Sequence, residues 1–378
     1  MHVVVAKKDL LRLLTRCQAV ADKKSTMPAL SNVLLEVAGP DQLRLAATDL
    51  LLAVSGKIRA EVDKGGSVAI GARDLLERVR MMPDGQVSIA TGEGSATIVR
   101  AVGSARRYTL HGTPGEDFPA LPQPDASAPV LSLDVATLAR LIGSTMFSIS
   151  PEDTRLQMNS ALFEWDGDRV RMVTTDGHRL SKMDVSLPAR QATATMLIPL
   201  RGVQELKRLC DEAASDVGTE TPIEMIQSGP NAFFRLAGLE FSVKLVDAQF
   251  PAYQQVIPET SGRAIRAPRL AMADALRAVS LAASDRTGGV KLTLGGNKMR
   301  FESESPESGA GFDEVDIEYS SEELTVGFNA RYFLDVLGAL DDDEVVLGVS
   351  GELDPAVIRP GTESTERSYL AVIMPMRI

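Results

Sequence analysis

The 378-residue sequence predicts an α+β protein of three structurally similar domains, each with two helices packed on antiparallel sheet. Three observations predict it. An amphipathic helical pattern opens each third of the chain, at "KKDLLRLLTRCQAVAD", "DVATLARLIGSTMFSI" and "ADALRAVSLAAS". Strand-like runs follow each of these, and a second helical pattern follows the strands. The first two copies also close alike, on "EDFPALPQP" and "AQFPAYQQVIP". A repeat of this length means that one supersecondary plan is used three times.

In the first copy, Leu10, Leu13, Leu14, Cys17, Val20 and Ala21 fall on one face at helical spacing. "NVLLEVAGPDQLRLAATDLLLAVSGKI" then reads as strands, and "GARDLLERVRMMPDGQVSIA" as a helix leading into another. In the second copy, Arg169, Val170, Arg171 and Met172 alternate polar and apolar, the mark of a strand with one buried face. "PLRGVQELKRLCDEAASD" is its second helix, running on to the strand "PIEMIQ". The third copy has strands from "GVKLTLGGNKMRFESES" to "FDEVDIEY", then "NARYFLDVLGALDDDEVVLGVS". Pro and polar residues at 119–129 and 258–268 mark boundaries. The domains expected are 1–125, 129–257 and 258–378.

Composition narrows the class. Hydrophobic residues make up 44% and charged residues 24%, as in a soluble globular protein, while aromatics are only 4%, so aliphatic side chains and Met must build the core. No run approaches the ~18 apolar residues of a membrane span. "MHVVVAKKDLLRLL" breaks its apolar run with charges, unlike a signal peptide. Cys17 and Cys210 have no CxxC or CxH spacing, which argues against zinc or a disulfide framework and fits a reducing cytosol. The net charge of −11 argues against wrapping nucleic acid tightly, because such affinity comes from phosphate neutralisation.

"TTDGHRL" places Asp176, Gly177, His178 and Arg179 together, which invites a catalytic reading. A catalytic His needs a nucleophile, an orienting carboxylate or a metal partner. His2, His111 and His178 share no metal-ligand spacing, and HExxH, GxSxG and GxxxxGK[ST] are absent. Glu302 and Glu304 lie in an acidic strand and loop that read as a solvated face. The first copy has "LAATDLLLAV" where the second has "MVTTDGHRLSKM", so Thr48-Asp49 and Thr175-Asp176 coincide. The Thr-Asp pair therefore serves the turn, and Gly177, His178 and Arg179 are what the middle copy adds. The hydrolase reading loses.

Two further features stand out. On the first helix Lys8, Arg12 and Arg16 recur at i, i+4, i+8, with Lys7, Lys23 and Lys24 nearby, opposed only by Asp9 and Asp22. Such a face is either solvated or turned toward an anion. The C-terminus "SYLAVIMPMRI" is unusually apolar, and is either buried on its own domain or an adaptable, Met-bearing binding surface.

Taken together, "TDGHRL" in the middle of three repeats, "KLVDAQFPAYQQVIP" closing it and "MPMRI" at the end strongly resemble the bacterial sliding clamp family, the β subunits of DNA polymerase III. "MPALSNVLLEV" and "GFNARYFLDVLGAL" resemble clamp segments too, so the likeness runs the full length. The resemblance implies a DNA-clamp fold in a head-to-tail homodimer: a ring with helices lining the hole, sheets outside and duplex DNA threaded through. It implies a non-catalytic processivity factor without cofactors, bacterial, cytoplasmic and replisome-associated, with no membrane partner. Its implied partners are the polymerase III catalytic subunit, a clamp loader, and other polymerases and repair proteins with QLxLF-like motifs. A closed ring holds DNA by topology, which accommodates the acidic net charge.

Residue by residue, the resemblance implies a partner-peptide groove of Met158, Thr175, Gly177, His178, Arg179, Leu180, Pro251 and Val256, completed by Val372, Met374, Pro375, Met376 and Arg377. Lys7, Arg12, Lys24, Arg73, Arg80 and Arg201 are the expected DNA-facing residues. Tyr108 and Leu110 are expected to meet Leu281 of a neighbouring copy, with Glu302, Glu304 and Glu307 opposite the first domain's arginines. The chain departs from the family pattern at Gln255 and Leu200, where relatives often carry cations. "PEDTRLQMNS" lacks tyrosines that some clamps place near DNA, leaving Arg155 and Gln157. A monomeric peptide-binding adaptor and a direct DNA binder are the competing readings.

Overall fold

The computed structural model describes residues 1–22, 25–187, 192–258, 262–284 and 287–377. Each third runs through the same order: strand, helix, four strands, helix, three strands. The helices are α1 (Lys7–Val20), α2 (Ala72–Arg80), α3 (Val135–Thr145), α4 (Leu200–Asp216), α5 (Arg269–Ser280) and α6 (Ala330–Ala339). Each overlaps a helical pattern read from the sequence, but α5 begins and ends four residues before "ADALRAVSLAAS" does. α1 buries Leu10, Leu13, Leu14, Cys17 and Val20. Asn329 caps α6, its side chain accepting the Arg331 N–H at 3.0 Å.

The chain forms two compact units, Met1–Asp134 with Ser215–Leu245, and Val135–Ala214 with Val246–Ile378. Strand pairing explains why the middle third contributes to both. In the first unit, Leu52–Lys64 pairs with Leu239–Lys244, with Leu52 opposite Val243 and Gly56 opposite Leu239, inside one twelve-stranded sheet. A Cβ on Gly56 would stand 2.9 Å from Leu13 Cδ1, so α1 packs directly on this seam. In the second unit, Arg179–Ser186 pairs with Arg367–Ile373, with Leu180 opposite Val372, inside an eight-stranded sheet. Residues 289–329 make a separate four-stranded sheet in that unit. Successive thirds are thus stitched by backbone hydrogen bonds, which hydrophobic periodicity does not reveal.

The repeat leaves one such seam unmade. Gly309–Asp316 holds the place in its third that Leu52–Lys64 and Arg179–Ser186 hold in theirs. It is nevertheless an outer strand, paired among the described residues only with Lys298–Ser305. Arg107–Pro114 holds the place of Leu239–Lys244 and Arg367–Ile373. It pairs with Ala96–Ala101 along one edge and with Ser67–Gly71 only through Gly112, Thr113 and Pro114.

Candidate functional site

The Thr-Asp pair folds the same turn twice. Thr175 Oγ1 donates to the Arg179 carbonyl (2.7 Å) and accepts the Gly177 N–H (3.1 Å). Thr48 Oγ1 donates to the Leu52 carbonyl (2.8 Å) and accepts the Leu50 N–H (3.0 Å). Asp176 Oδ1 accepts the His178 and Arg179 N–H groups, as Asp49 Oδ1 accepts those of Leu51 and Leu52. This is Asx-turn chemistry, not an acid–base pair. The residue after Asp takes positive φ in both copies, 90° at Gly177 and 74° at Leu50. Glycine does so without a Cβ penalty, and its missing side chain leaves space over the turn.

Arg179 is 9% exposed, and its guanidinium is spent inside the protein. It pairs with Asp176 (3.0 Å) and Asp335 on α6 (2.6 Å), donates to the Phe147 carbonyl, and lies over the Tyr332 ring at 4.5 Å. Two carboxylates, 156 positions and three positions away in sequence, thus already neutralise this cation beside the cavity that it was expected to line. Its role is to anchor the turn to α6.

Beside the turn lies a cavity of about 130 Å³ lined by Met158, Thr175, Gly177, Arg179, Leu180, Pro251, Ala252, Tyr253, Val256, Val372 and Met374. The structure thus brings together most of the expected groove and adds Ala252 and Tyr253, the last two residues of "FPAY" in the closing motif. Below it, Leu162, Val173, Leu180, Leu197, Leu370 and Val372 form a continuous core with Tyr253. A small apolar cavity of this kind has room for one or two aliphatic or aromatic side chains.

Four expected residues lie outside the lining. His178 is exposed, and its carbonyl accepts the Met374 N–H at 2.9 Å. Pro375 is half-buried and Arg377 exposed. Met376 turns back onto its own unit, its N–H on the Gly327 carbonyl at 2.8 Å and its sulfur beside Gly289. The tail reaches the cavity through Val372 and Met374 only.

The basic face of α1 is also corrected. Arg16 is buried, and both it (3.4 Å) and Arg12 (3.3 Å) reach Asp216, a residue about two hundred positions away. Lys7 is tied to the Met82 carbonyl (2.6 Å) and Asp84 (3.0 Å). Arg73 is exposed and pairs with Glu77 at 2.7 Å; Arg80 and Arg201 are exposed, and Arg155 pairs with Glu152. Lys24 lies outside the described residues. Leu110, expected at an interface, is 6% exposed, because it faces inward opposite buried Thr97. Tyr108 shares that inward face and is half-buried, whereas Leu281 is 81% exposed.

A larger cleft of about 710 Å³ in the first unit is a weaker candidate. Four of its five lining charges pair with one another, Arg44 with Glu36 and Arg235 with Glu240, each at 3.1 Å. Burial pushes the Cys210 thiol up to about 12, so it is no thiolate nucleophile at neutral pH. Among the described residues no His, Cys, Asp and Glu cluster could hold a metal, and no helix is long and apolar enough to cross a membrane.

Family models of the DNA polymerase III β subunit match along the chain: the N-terminal domain over residues 1–122, the central domain over 132–252 and the C-terminal domain over 254–377. The β sliding clamp of Pseudomonas aeruginosa is 30% identical and that of Escherichia coli 29%, each match covering 100% of both chains. Among solved structures, the P. aeruginosa clamp with ligand superposes at a TM-score of 0.92 with 28% identity, and the Bartonella birtlesii clamp bound to griselimycin at 0.91 with 31%, again over 100% of both chains. Three repeats of one α+β plan, the shared turn and these full-length matches lead to one assignment: the chain belongs to the DNA polymerase III β subunit, or β sliding clamp, family.

Proposed function

We propose that two copies of this chain close head to tail into a ring that encircles duplex DNA, slides along it and tethers the replicative polymerase. The ring is a non-catalytic processivity factor of the bacterial cytoplasm. The observation that carries this reading is the unmade seam. Each third offers a seam strand, two seams are formed within the chain, and Gly309–Asp316 and Arg107–Pro114 are left to pair with a second copy. Two copies close both seams, the condition for a point-group assembly rather than a filament. Phe312, 59% exposed, and Leu281 stand by the open edge, an arrangement monomers avoid. Asp313 on that strand, with Glu304 and Glu307 nearby, complements Arg100, Arg106 and Arg107 beside the other, while Glu314 and Asp316 are engaged with Lys298. Glu302 is engaged with Lys291 at 2.8 Å.

In this reading the cavity beside Gly177 receives QLxLF-like segments of the polymerase III catalytic subunit, the clamp loader and other polymerases and repair proteins. Arg73, Arg80, Arg201 and Lys24 supply a weak, sequence-independent lining for DNA, and the internally paired Arg12 and Lys7 supply less.

Retention on DNA tests the ring. Protein loaded on a nicked plasmid by a bacterial clamp loader should coelute with the circle and be released when a restriction enzyme linearises it. Tight, salt-sensitive binding to short linear duplex, with no dependence on topology, would instead favour direct binding through basic side chains.

A further inference from the structure

Tyr253 presents its ring to the cavity and its hydroxyl to a polar network on the sheet. The hydroxyl accepts a hydrogen bond from Arg171 Nη1 (3.1 Å) and donates to Glu164 Oε2 (3.2 Å). Arg171 also pairs with Glu164 (3.4 Å) and, through Nε, with Asp184, whose other oxygen is held by Lys182. Register builds this network: Glu164 stands opposite Arg171 on one neighbouring strand, and Asp184 opposite Arg171 on the other. Asp184 is 5% exposed and Tyr253 4%. None of Glu164, Arg171, Lys182 and Asp184 lines the cavity.

The segment that Tyr253 belongs to packs on the core through Phe250, Tyr253 and Ile257, but few directional contacts fix it. Its backbone hydrogen bonds, from Tyr253 to the Pro251 carbonyl (2.7 Å) and from Gln255 to the Ala252 carbonyl (3.1 Å), are local. Tyr253 opens the short 3-10 turn Tyr253–Val256, so the position of its ring sets the position of Val256 at the cavity edge. Burial raises the hydroxyl above the usual tyrosine value, so its proton is held to higher pH than in a free tyrosine.

We propose that Arg171 and Glu164 are positioning residues for the groove: they hold the Tyr253 hydroxyl and thereby preorganise the wall formed by Pro251 to Val256. The proposal rests on the groove reading above. A peptide that never touches Arg171 then depends on it, because an unfixed wall must be ordered at the expense of binding.

The test is a titration of a fluorescently labelled peptide ending Gln-Leu-Ser-Leu-Phe against wild type, Tyr253→Phe, Arg171→Met and the double variant. Each single change should raise Kd about three- to tenfold, the scale of one lost hydrogen bond. The double variant should bind no worse than Tyr253→Phe alone, because both act through one hydroxyl. Additive losses, or an unchanged Kd in Tyr253→Phe, would overturn the proposal. Tyr253→Phe is nearly isosteric and decides the matter even where Arg171→Met fails to fold, with Glu164→Gln as a second probe. Failure of the wild type to bind the peptide would instead sink the groove reading itself.

Discussion

The Met374 N–H donates to the His178 carbonyl oxygen at 2.9 Å, and this bond ties the C-terminal tail to the turn. The first unit makes the same bond, from the Lys244 N–H to the Leu51 carbonyl at 2.8 Å. Backbone geometry is thus common to both seams, and the side chains decide what each can bind. Leu180 faces Val372 at one seam; Ala53 faces Ser242 at the other. Met374 has Lys244 as its counterpart, and Gly177 has Leu50. An apolar cavity forms where the side chains are Leu, Val and Met around a glycine. At the other seam small and polar residues take their places, and Leu50 projects over the turn.

Met374→Lys copies the first seam into the second. Because Lys244 occupies the equivalent backbone site, the fold should be retained, with thermal stability within a few degrees of wild type. Peptide affinity should fall at least about tenfold, the scale of losing one buried apolar contact. Peptide titration beside a melting curve checks this, and unchanged affinity would remove Met374 from the site.

Gly177→Leu is expected to fold, since Leu50 already occupies the matching turn at positive φ. The left-handed backbone should cost about 1–2 kcal/mol in a urea titration. Peptide binding should be lost through occlusion of the cavity. Retained binding would mean that ligands approach from a side the turn does not cover.

How much of this was legible in the sequence follows from how local each feature is. The Thr-Asp turn is made within five residues and repeats, so comparing two copies separated its structural part from Gly177. Leu180 and Val372 were placed by resemblance, and the structure brings them together. Arg179 lines the cavity as expected, but its pairing with Asp335, like that of Arg12 and Arg16 with Asp216, joins residues too distant in sequence for either partner to be inferred. Leu110 was misread for a different reason. Its facing follows from pairing with Thr97, which strand alternation alone could have suggested. Tyr253 left a signal in "FPAY", but its bonds to Glu164 and Arg171 depend on strand register.

Removing the Arg179 charge should be costly. Arg179→Ala leaves the Asp176 and Asp335 carboxylates without their shared cation, and a loss of about 3 kcal/mol is expected. Asp335→Asn keeps the Asp176 pair and should cost about 1 kcal/mol. Urea denaturation of the two variants checks the order. A cost for Arg179→Ala no larger than for Asp335→Asn would contradict the anchoring role.

Alkaline pH should destabilise the chain. Burial raises Cys210 from 9.0 to about 12 and raises Tyr253, Tyr332 and Tyr369 above the ordinary tyrosine value. Above 9.0 the unfolded chain releases protons that the folded chain retains, so stability falls as pH rises. Below that value these groups are protonated in both states and their contribution is constant. Urea midpoints at pH 7, 9 and 10.5 should be level and then decline. A midpoint that rises across that interval would contradict the assigned shifts.

A second copy is expected to close the unmade seam. Mass in solution together with negative-stain electron microscopy tests it most directly, with Leu281→Asp as the control beside the open edge. Closure predicts twice the chain mass and a two-copy ring with a hole wide enough for duplex DNA, shifted toward monomers by Leu281→Asp. Persistent wild-type monomers at micromolar concentration would contradict encirclement and leave a monomeric peptide-binding adaptor in its place.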